Sequence, residues 1–317
     1  MPGTGSMNLT SAQAFRDYVE DIADGLFGRA YIGFKSADIV QLHEGVKGKK
    51  ILTELIMGDL ARRWNKNFAP TEDQLNFRPR TLEVSTCKVE LQICPQDFES
   101  SYLGNFRKKG QGRDIPFEGY ILDKVMKKLN QEFEVALHQA VAAASPATTD
   151  LMKQTFNGIN FILADLITNG GYAPVATPGG ALTATSIIPT LEAMWNKLSD
   201  AYKDGEVEVY GTYAQTRLYQ TAYAAKYNGN KPEVDAMGRV RLEFGEGWLK
   251  PLPGRSGSNR LIMTPMNNIH YGIDAPADSQ IMQFEDDKRN IDMWMDFNVG
   301  TQIGIVDEDV LVINDLA

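Results

Sequence analysis

The feature that most constrains the fold is a long amphipathic stretch at about residues 115–144. Asp114 can cap a helix here, Pro116 suits its first turn, and Pro146 ends it. At 1.5 Å per residue such a helix is roughly 40 Å long, so it would span a whole domain. Lysines and Glu134 lie off its apolar stripe. We expect the stripe to face the core, and it consists of Leu122, Val125, Met126, Leu129, Phe133 and Leu137, with Ala136 and Ala140 beside them.

The composition indicates a folded protein that does not read a DNA sequence. Hydrophobic residues make up 43% and charged residues 23% of the 317 residues, which is ordinary for a globular chain. The net charge of −9 argues against a sequence-specific DNA-binding domain, which would be basic, but it permits a surface that faces nucleic acid. No apolar run reaches the ~18 residues of a membrane helix. Residues 1–10 lack the pattern of a secretory signal, so we expect a protein made or assembled inside a cell.

The chain before the long helix consists of pieces that bury little apolar surface. A short amphipathic helix is predicted at residues 11–26, and two extended arms around a polar tip containing Pro70 are predicted at residues 45–92. From Thr81 onward the second arm should alternate, with Leu82, Val84, Thr86, Lys88 and Glu90 on one face. Such an excursion is marginal alone, so we expect a neighbouring subunit to support it.

The chain after the long helix predicts a mixed α+β fold. Residues 151–228 alternate helical and extended patterns, including helices at 156–168, 186–202 and 212–227. Residues 235–317 carry short strands separated by Gly-Pro and charged turns.

No pattern predicts catalysis, a cofactor or a metal site. The sequence contains no GxSxG elbow, HExxH motif or phosphate-binding loop. His43, His138 and His270 are far apart in sequence, and structural roles are favoured for them. Cys87 and Cys94 would lie on opposite faces of a strand, so we expect two buried or half-buried free thiols.

Several charged segments leave alternatives open. Residues 285–287 and 307–309 are acidic and could bind a divalent cation, although charged turns are favoured. The segment at 252–260 reads as an exposed turn. Charged residues on the excursion and on the basic loop before the long helix are candidates for intersubunit contacts or for solvated loops: Asp59, Arg62, Arg63, Glu72, Asp73, Arg107, Lys108 and Lys109.

Three stretches resemble a known family. ICPQDFESSYLGNF, followed by IPFEGYILDKVMKKLNQEFEVALHQAV, is similar to the passage into the spine helix of tailed-bacteriophage major capsid proteins with the Hong Kong 97-type fold. TFNGINFILADLIT resembles the segment after that helix, and RLIMTPMNNIHYGID resembles the late segment before the final strands. The resemblance implies an N-terminal arm at residues 1–44, an extended E-loop at 45–92, a P-domain with the spine helix at 93–150, an A-domain at about 151–270, and strands returning to the P-domain at 271–317.

The resemblance also implies a function. It implies a subunit that self-assembles into hexamers and pentamers of an icosahedral shell around double-stranded DNA, in the virion capsid, after assembly in the host bacterial cytoplasm. Scaffolding, portal and decoration proteins would be partners, DNA would be held without sequence specificity, and no cofactor, metal or membrane would be involved. The alternatives are an encapsulin-like nanocompartment shell, another phage structural protein such as a tail component, and an enzyme with an α/β core. Some family members join a lysine to an asparagine, but no pattern here singles out a pair among Lys50, Lys66 and Asn298.

Overall fold

The long helix, α1, spans Phe117–Gln139 and is about 35 Å long. It ends earlier than predicted because the chain beyond it pairs with other backbone. The amide of Val141 donates to the carbonyl of Lys153, and that of Ala143 donates to the carbonyl of Gln154. These bonds hold the alanine-rich segment extended although its composition favours a helix.

The computed structural model describes residues 34–57, 63–64, 66, 75–94, 117–147, 149–203, 207–274, 282–287 and 290–316. The predicted helix at residues 11–26 lies outside this part of the chain. The other helices are α2 Ile159–Thr168, α3 Ile187–Lys197, α4 Asp200–Lys203 and α5 Tyr213–Lys226, with 3-10 turns at Lys35–Ile39, Met152–Gln154, Pro178–Gly180 and Pro253–Arg255. The strands are β1 Val40–His43, β2 Lys49–Met57, β3 Leu75–Glu83, β4 Ser85–Ile93, β5 Val207–Gly211, β6 Val240–Arg241, β7 Trp248–Pro251, β8 Ile262–Pro265, β9 Ile269–Ile273, β10 Met282–Asp287, β11 Asn290–Ile303 and β12 Val312–Ile313. The predicted α+β class is confirmed.

The strands form two sheets and a separate hairpin. The main sheet has the order β1-β9-β11-β10, and β4 also pairs with β11. The second sheet has the order β12-β8-β5-β7-β6. β2 and β3 pair only with each other among the described strands, in a nine-residue antiparallel ladder.

Two hydrophobic cores follow from this topology. The first lies between α1, α2 and the main sheet, and the second lies between α3, α5 and the second sheet. α2 therefore packs on the first core, although the sequence grouped it with the domain at 151–270. Side chains from strands of the second sheet and from the residues beside them also belong to the first core, so the cores touch: Tyr210, Leu252, Ile262, Leu311 and Ile313.

The C-terminal strands do not all return to one sheet. Residues 271–317 were predicted to return to the P-domain, which contains the long helix, and β10 and β11 do lie in the main sheet beside that helix. β12 instead pairs with β8 in the second sheet, and Val312 lies in the second core. The chain thus crosses between the two cores once more than predicted.

The predicted second arm is broken at Val84. β3 pairs with β2, whereas β4 pairs with β11 in the main sheet. Leu82 and Val84 are buried, but the residues at 86, 88 and 90 are exposed, and Cys87 is buried instead. The alternation of buried and exposed side chains shifts by one residue after Val84 because β3 and β4 belong to different sheets. Residues 85–93 are therefore part of the core and not of the excursion.

One predicted helix is divided. The segment at 186–202 forms α3 and α4, separated at Leu198, whose backbone is extended. The amide of Ser199 donates to the carbonyl of Asp309 at this break. Within the described residues, no helix combines the length and apolar character needed to cross a membrane.

Candidate assembly surface

The apolar stripe of α1 faces the main sheet. Leu122, Met126, Leu129, Phe133 and Leu137 are buried, and Val125 is half-buried against the same core. The ring centroid of Phe133 lies 6.3 Å from that of Phe34 and 5.4 Å from that of Phe297. The helix is thereby fixed to the chain before β1 and to β11.

The β2–β3 hairpin is attached to the body along one face near its base. Leu82 is fully buried, and Arg80 Nη2 donates to Gln302 Oε1 at 2.9 Å. Arg78 forms an ion pair with Asp307. These contacts orient the hairpin relative to the main sheet, while the strand ends at Met57 and Leu75 lie farthest along the ladder from its base at Lys49 and Glu83.

The opposite face of the hairpin exposes apolar side chains. Ile51 is 66% exposed and Phe77 is 60% exposed. Ile51 pairs with Thr81, so these two side chains lie on the same face of the hairpin. Thr81 is an even number of residues from Phe77 on the same strand, so the side chains of Ile51 and Phe77 also share that face. Trp64, in the segment that joins the two strands, is 86% exposed. The exposed apolar side chains on one face make the hairpin a candidate interaction surface.

A groove runs beside β4. It lies between that strand and the segment at residues 142–152, with a volume of about 730 Å³. Val89, Leu129 and Met152 contribute to its wall, and Leu151 at its rim is 60% exposed. Among the described strands β4 pairs only with β11, and residues 85–89 of β4 line this groove.

Most of the predicted intersubunit residues fall outside the described part of the chain. Arg63 is described and is exposed. Seven others lie outside the described residues: Asp59, Arg62, Glu72, Asp73, Arg107, Lys108 and Lys109. Their role remains a prediction.

The acidic segment at 307–309 binds basic and amide groups of its own chain. Asp307 pairs with Arg78, and Glu308 accepts from Lys197 Nζ at 2.8 Å and from the amide of Ala173 at 2.8 Å. The hydrogen bond from Lys197 lowers the pKa of Glu308. The segment at 285–287 is exposed on the edge strand β10. No group of three potential ligands that could hold a metal occurs among the residues that the structure describes.

Glu134 is buried, contrary to its predicted place off the stripe. Its carboxylate accepts from the Ser36 amide at 2.7 Å, from Ser36 Oγ at 2.7 Å and from the Gly254 amide at 3.0 Å. His138 Nε2 lies 2.8 Å from Ser36 Oγ. Because Ser36 Oγ donates to Glu134, it accepts from His138, which places the imidazole proton on Nε2. Burial, and then the charge of Arg255, lowers the pKa of His138 well below its usual value.

The segment at 252–260, predicted as an exposed turn, is partly buried at Arg255. This side chain is fully buried and donates to the carbonyl of Arg260, with Asn160 Oδ1 3.4 Å away. Gly254 fits against α1 because a Cβ there would lie 2.1 Å from the backbone oxygen of Glu134. The spacing of Glu134 and His138, one helical turn apart, was the sequence signal for this polar cluster.

Two histidines that are distant in sequence lie together. β1 and β9 pair in parallel, and His43 Nε2 lies 2.8 Å from His270 Nδ1 with the rings stacked. Lys50 Nζ lies 2.9 Å from His43 Nδ1. Burial, followed by the charges of His43 and Lys50, lowers the pKa of His270 to about 4. The contact between Lys50 on β2 and His43 on β1 joins the base of the hairpin to the main sheet.

The cysteine prediction is confirmed. Cys87 and Cys94 are free, the first buried and the second half-buried. Cys87 Sγ lies 3.2 Å from Thr155 Oγ1, and burial raises the pKa of its thiol. A buried thiol with a raised pKa is chemically inert.

Solved structures of other proteins identify the fold of this chain. No protein-family model and no curated sequence matches the chain. Among solved structures, it is similar to a chain of the satellite phage P4 procapsid with its size determination protein, with a TM-score of 0.53 and 12% identity over 95% of each chain. The chain has the fold of phage capsid proteins.

Two more structures share this capsid fold. A chain of Gordonia phage Cozz matches with a TM-score of 0.52 and 14% identity over 88% of this chain and 85% of that one. A capsid chain of the native GTA particle matches with a TM-score of 0.53 and 11% identity over 90% and 89%. Two of these three neighbours are named as a procapsid and a capsid, and the resemblance to tailed-phage capsid proteins is confirmed at the level of the fold.

Proposed function

We propose that this chain is the major capsid protein of a tailed bacteriophage, the repeating subunit of an icosahedral shell around double-stranded DNA. The match along 95% of this chain and 95% of a procapsid chain carries the proposal, because an alignment of that length cannot be limited to the hairpin, the long helix or one of the two sheets. In this assignment the β2–β3 hairpin is the E-loop, α1 is the spine of the P-domain, and the second core forms the A-domain. Hexamers and pentamers of the shell would assemble in the host cytoplasm.

The hairpin supplies the intersubunit contact in this proposal. Its outer face exposes Ile51 and Phe77, and the groove beside β4 offers an apolar wall elsewhere on the same molecule. Two different patches that fit each other make a heterologous contact, and a heterologous contact closes into rings when its rotation allows. The second copy's groove is therefore the surface that we assign to the hairpin.

The charge of the chain is compatible with a DNA container. A net charge of −9 weakens general attraction to phosphate, so packaged DNA would be held without sequence specificity and released readily. Scaffolding, portal and decoration proteins would be further partners of the shell. Retention of naked DNA by purified shells at physiological salt would contradict this part of the proposal.

Negative-stain electron microscopy of the expressed protein tests the proposal. Closed shells of uniform size are expected. Tubes would favour a tail component, and shells that enclose a co-expressed enzyme in place of DNA would favour an encapsulin-like compartment. A chain that stays monomeric at every concentration would refute assembly.

A paired substitution tests the hairpin. Ile51→Ser with Phe77→Ser should leave the far-ultraviolet circular dichroism and the thermal midpoint nearly unchanged, because both side chains are exposed, and should abolish shells. Met237→Ser is the matched control, since Met237 has the same 66% exposure and lies in the loop before β6. Normal shells from the hairpin variant would show that this face is not an interface.

A further inference from the structure

The 3-10 turn at Lys35–Ile39 contacts both cores within a few residues. Lys35, Ser36 and Asp38 bind α5, α1 and β7, respectively. The turn has five residues and no side-chain cap. A turn this short is not stable alone, so these long-range contacts hold it in place.

The Ser36 contact attaches the turn to the first core. Its amide and hydroxyl both donate to the Glu134 carboxylate, and the hydroxyl also accepts from His138, all inside the protein. Phe34 and Ile39, on either side, are buried in the same core. Glu134 also accepts from the Gly254 amide, in the turn that follows β7. The carboxylate is therefore shared by two turns that approach α1 from different parts of the chain.

The Asp38 contact attaches the turn to the second sheet. Asp38 Oδ2 lies 2.6 Å from Lys250 Nζ on β7. The Lys250 side chain is only 5% exposed, and its other acidic neighbour, Glu208 on β5, is 3.7 Å away. Glu208 is itself bound by Arg239 at 2.8 Å. Loss of Asp38 would therefore leave the buried Lys250 charge facing Glu208, whose nearer oxygen is 3.7 Å away and whose other oxygen already pairs with Arg239.

The Lys35 contact adds a third element. Lys35 Nζ lies 2.6 Å from Tyr213 OH and 4.9 Å from the centre of its ring, at the first residue of α5. This contact is exposed, so we expect it to contribute little beside the other two.

We propose that the turn Lys35–Ile39 is a releasable clamp that holds the two cores at a fixed angle. When the clamp is released, the second core opens or turns as a unit while the main sheet stays folded. The segment before Phe34 is covalently attached to the clamp, so a load on that segment acts on both cores together. The inference does not depend on the proposed function, since it concerns one subunit.

Hydrogen exchange measured by mass spectrometry on the full chain tests the clamp. The variants are Ser36→Ala, Asp38→Asn and the two combined, each compared with wild type in the same oligomeric state. Amides of α5, β5 and β7 should exchange about 10-fold faster in the double variant, whereas amides of β4 and β11 should stay within about 2-fold. Asp38→Asn should show the same distribution with a smaller change, and it keeps the test valid if the double variant does not fold, because the Asp38 side chain is 54% exposed.

Asp123→Asn is the matched control. Asp123 pairs with Lys127 at 2.7 Å on the exposed face of α1, so its loss removes an ion pair outside the clamp. The control should leave exchange within about 2-fold throughout. Equal acceleration in both cores, faster exchange in the main sheet alone, or no change in the clamp variants would overturn the proposal. Absence of shells would refute the capsid function without affecting this measurement.

Discussion

Phe133→Ala should remove a large part of the stability of the first core. The ring is 1% exposed and packs between Phe34 and Phe297, where α1 meets β11. Truncation of a buried phenylalanine costs about 3–5 kcal/mol through lost transfer free energy and the cavity left behind. Because the ring also interacts with two aromatic neighbours, we expect the free energy of unfolding to fall by about 4 kcal/mol. Typical proteins are stable by only about 5–15 kcal/mol, so the change is readily measured.

Urea denaturation followed by far-ultraviolet circular dichroism measures this loss at one fixed protein concentration. The midpoint should fall while the slope of free energy against urea stays constant, because the native fold is kept. Val135→Ala is the control, since Val135 lies on the same helix but is 37% exposed, and it should change stability by no more than about 0.5 kcal/mol. If the two variants lose the same stability, Phe133 does not fix the helix to the sheet.

Three further outcomes are expected. Gly254→Ala should cost at least about 2 kcal/mol in the same assay or prevent folding, because its Cβ would lie 2.1 Å from the Glu134 backbone oxygen; a neutral result would contradict that contact. His270 has its pKa lowered from 6.5 to about 4, so the stability that its neutral form contributes is complete above about pH 6.5 and is lost as the pH falls toward 4. The full pKa shift corresponds to at most about 3 kcal/mol, and partial solvation of His270 reduces this to about 1–2 kcal/mol. Between about pH 7 and about pH 4.5, the free energy of unfolding of His270→Gln should therefore fall by about 1–2 kcal/mol less than that of wild type. A thiol reagent should modify Cys94 before Cys87, which is 6% exposed and has a raised pKa, and equal rates would count against the buried position.

Local periodicity predicted the elements better than their ends or partners. α1 and its stripe followed from apolar spacing, which depends on neighbours within the helix. Its end at Gln139 did not, because it depends on hydrogen bonds that Val141 and Ala143 make to residues 153 and 154. The break at Val84 was missed for a similar reason, since strand alternation carries no information about which sheet each half joins.

The polar groups of the interior were the least predictable part. Glu134 was placed off the stripe because a glutamate on a helix is usually solvated, yet here the Ser36 and Gly254 amides satisfy it. The contact between His43 and His270 likewise depends on a parallel strand pair that spans most of the chain. Such partners are set by topology, which a single sequence does not display.

The pairing of the main sheet has a consequence for synthesis. β4 can pair only after β11 has been made, and Gln92 and Asp292 meet across 200 residues of sequence. Contacts this far apart form slowly and late. A chain emerging from the ribosome therefore carries the hairpin strands early but lacks the sheet that orients them until residue 303 has been added. In the proposed shell, the nascent subunit therefore cannot present a finished binding face to other copies before β11 has been made, so folding itself delays association.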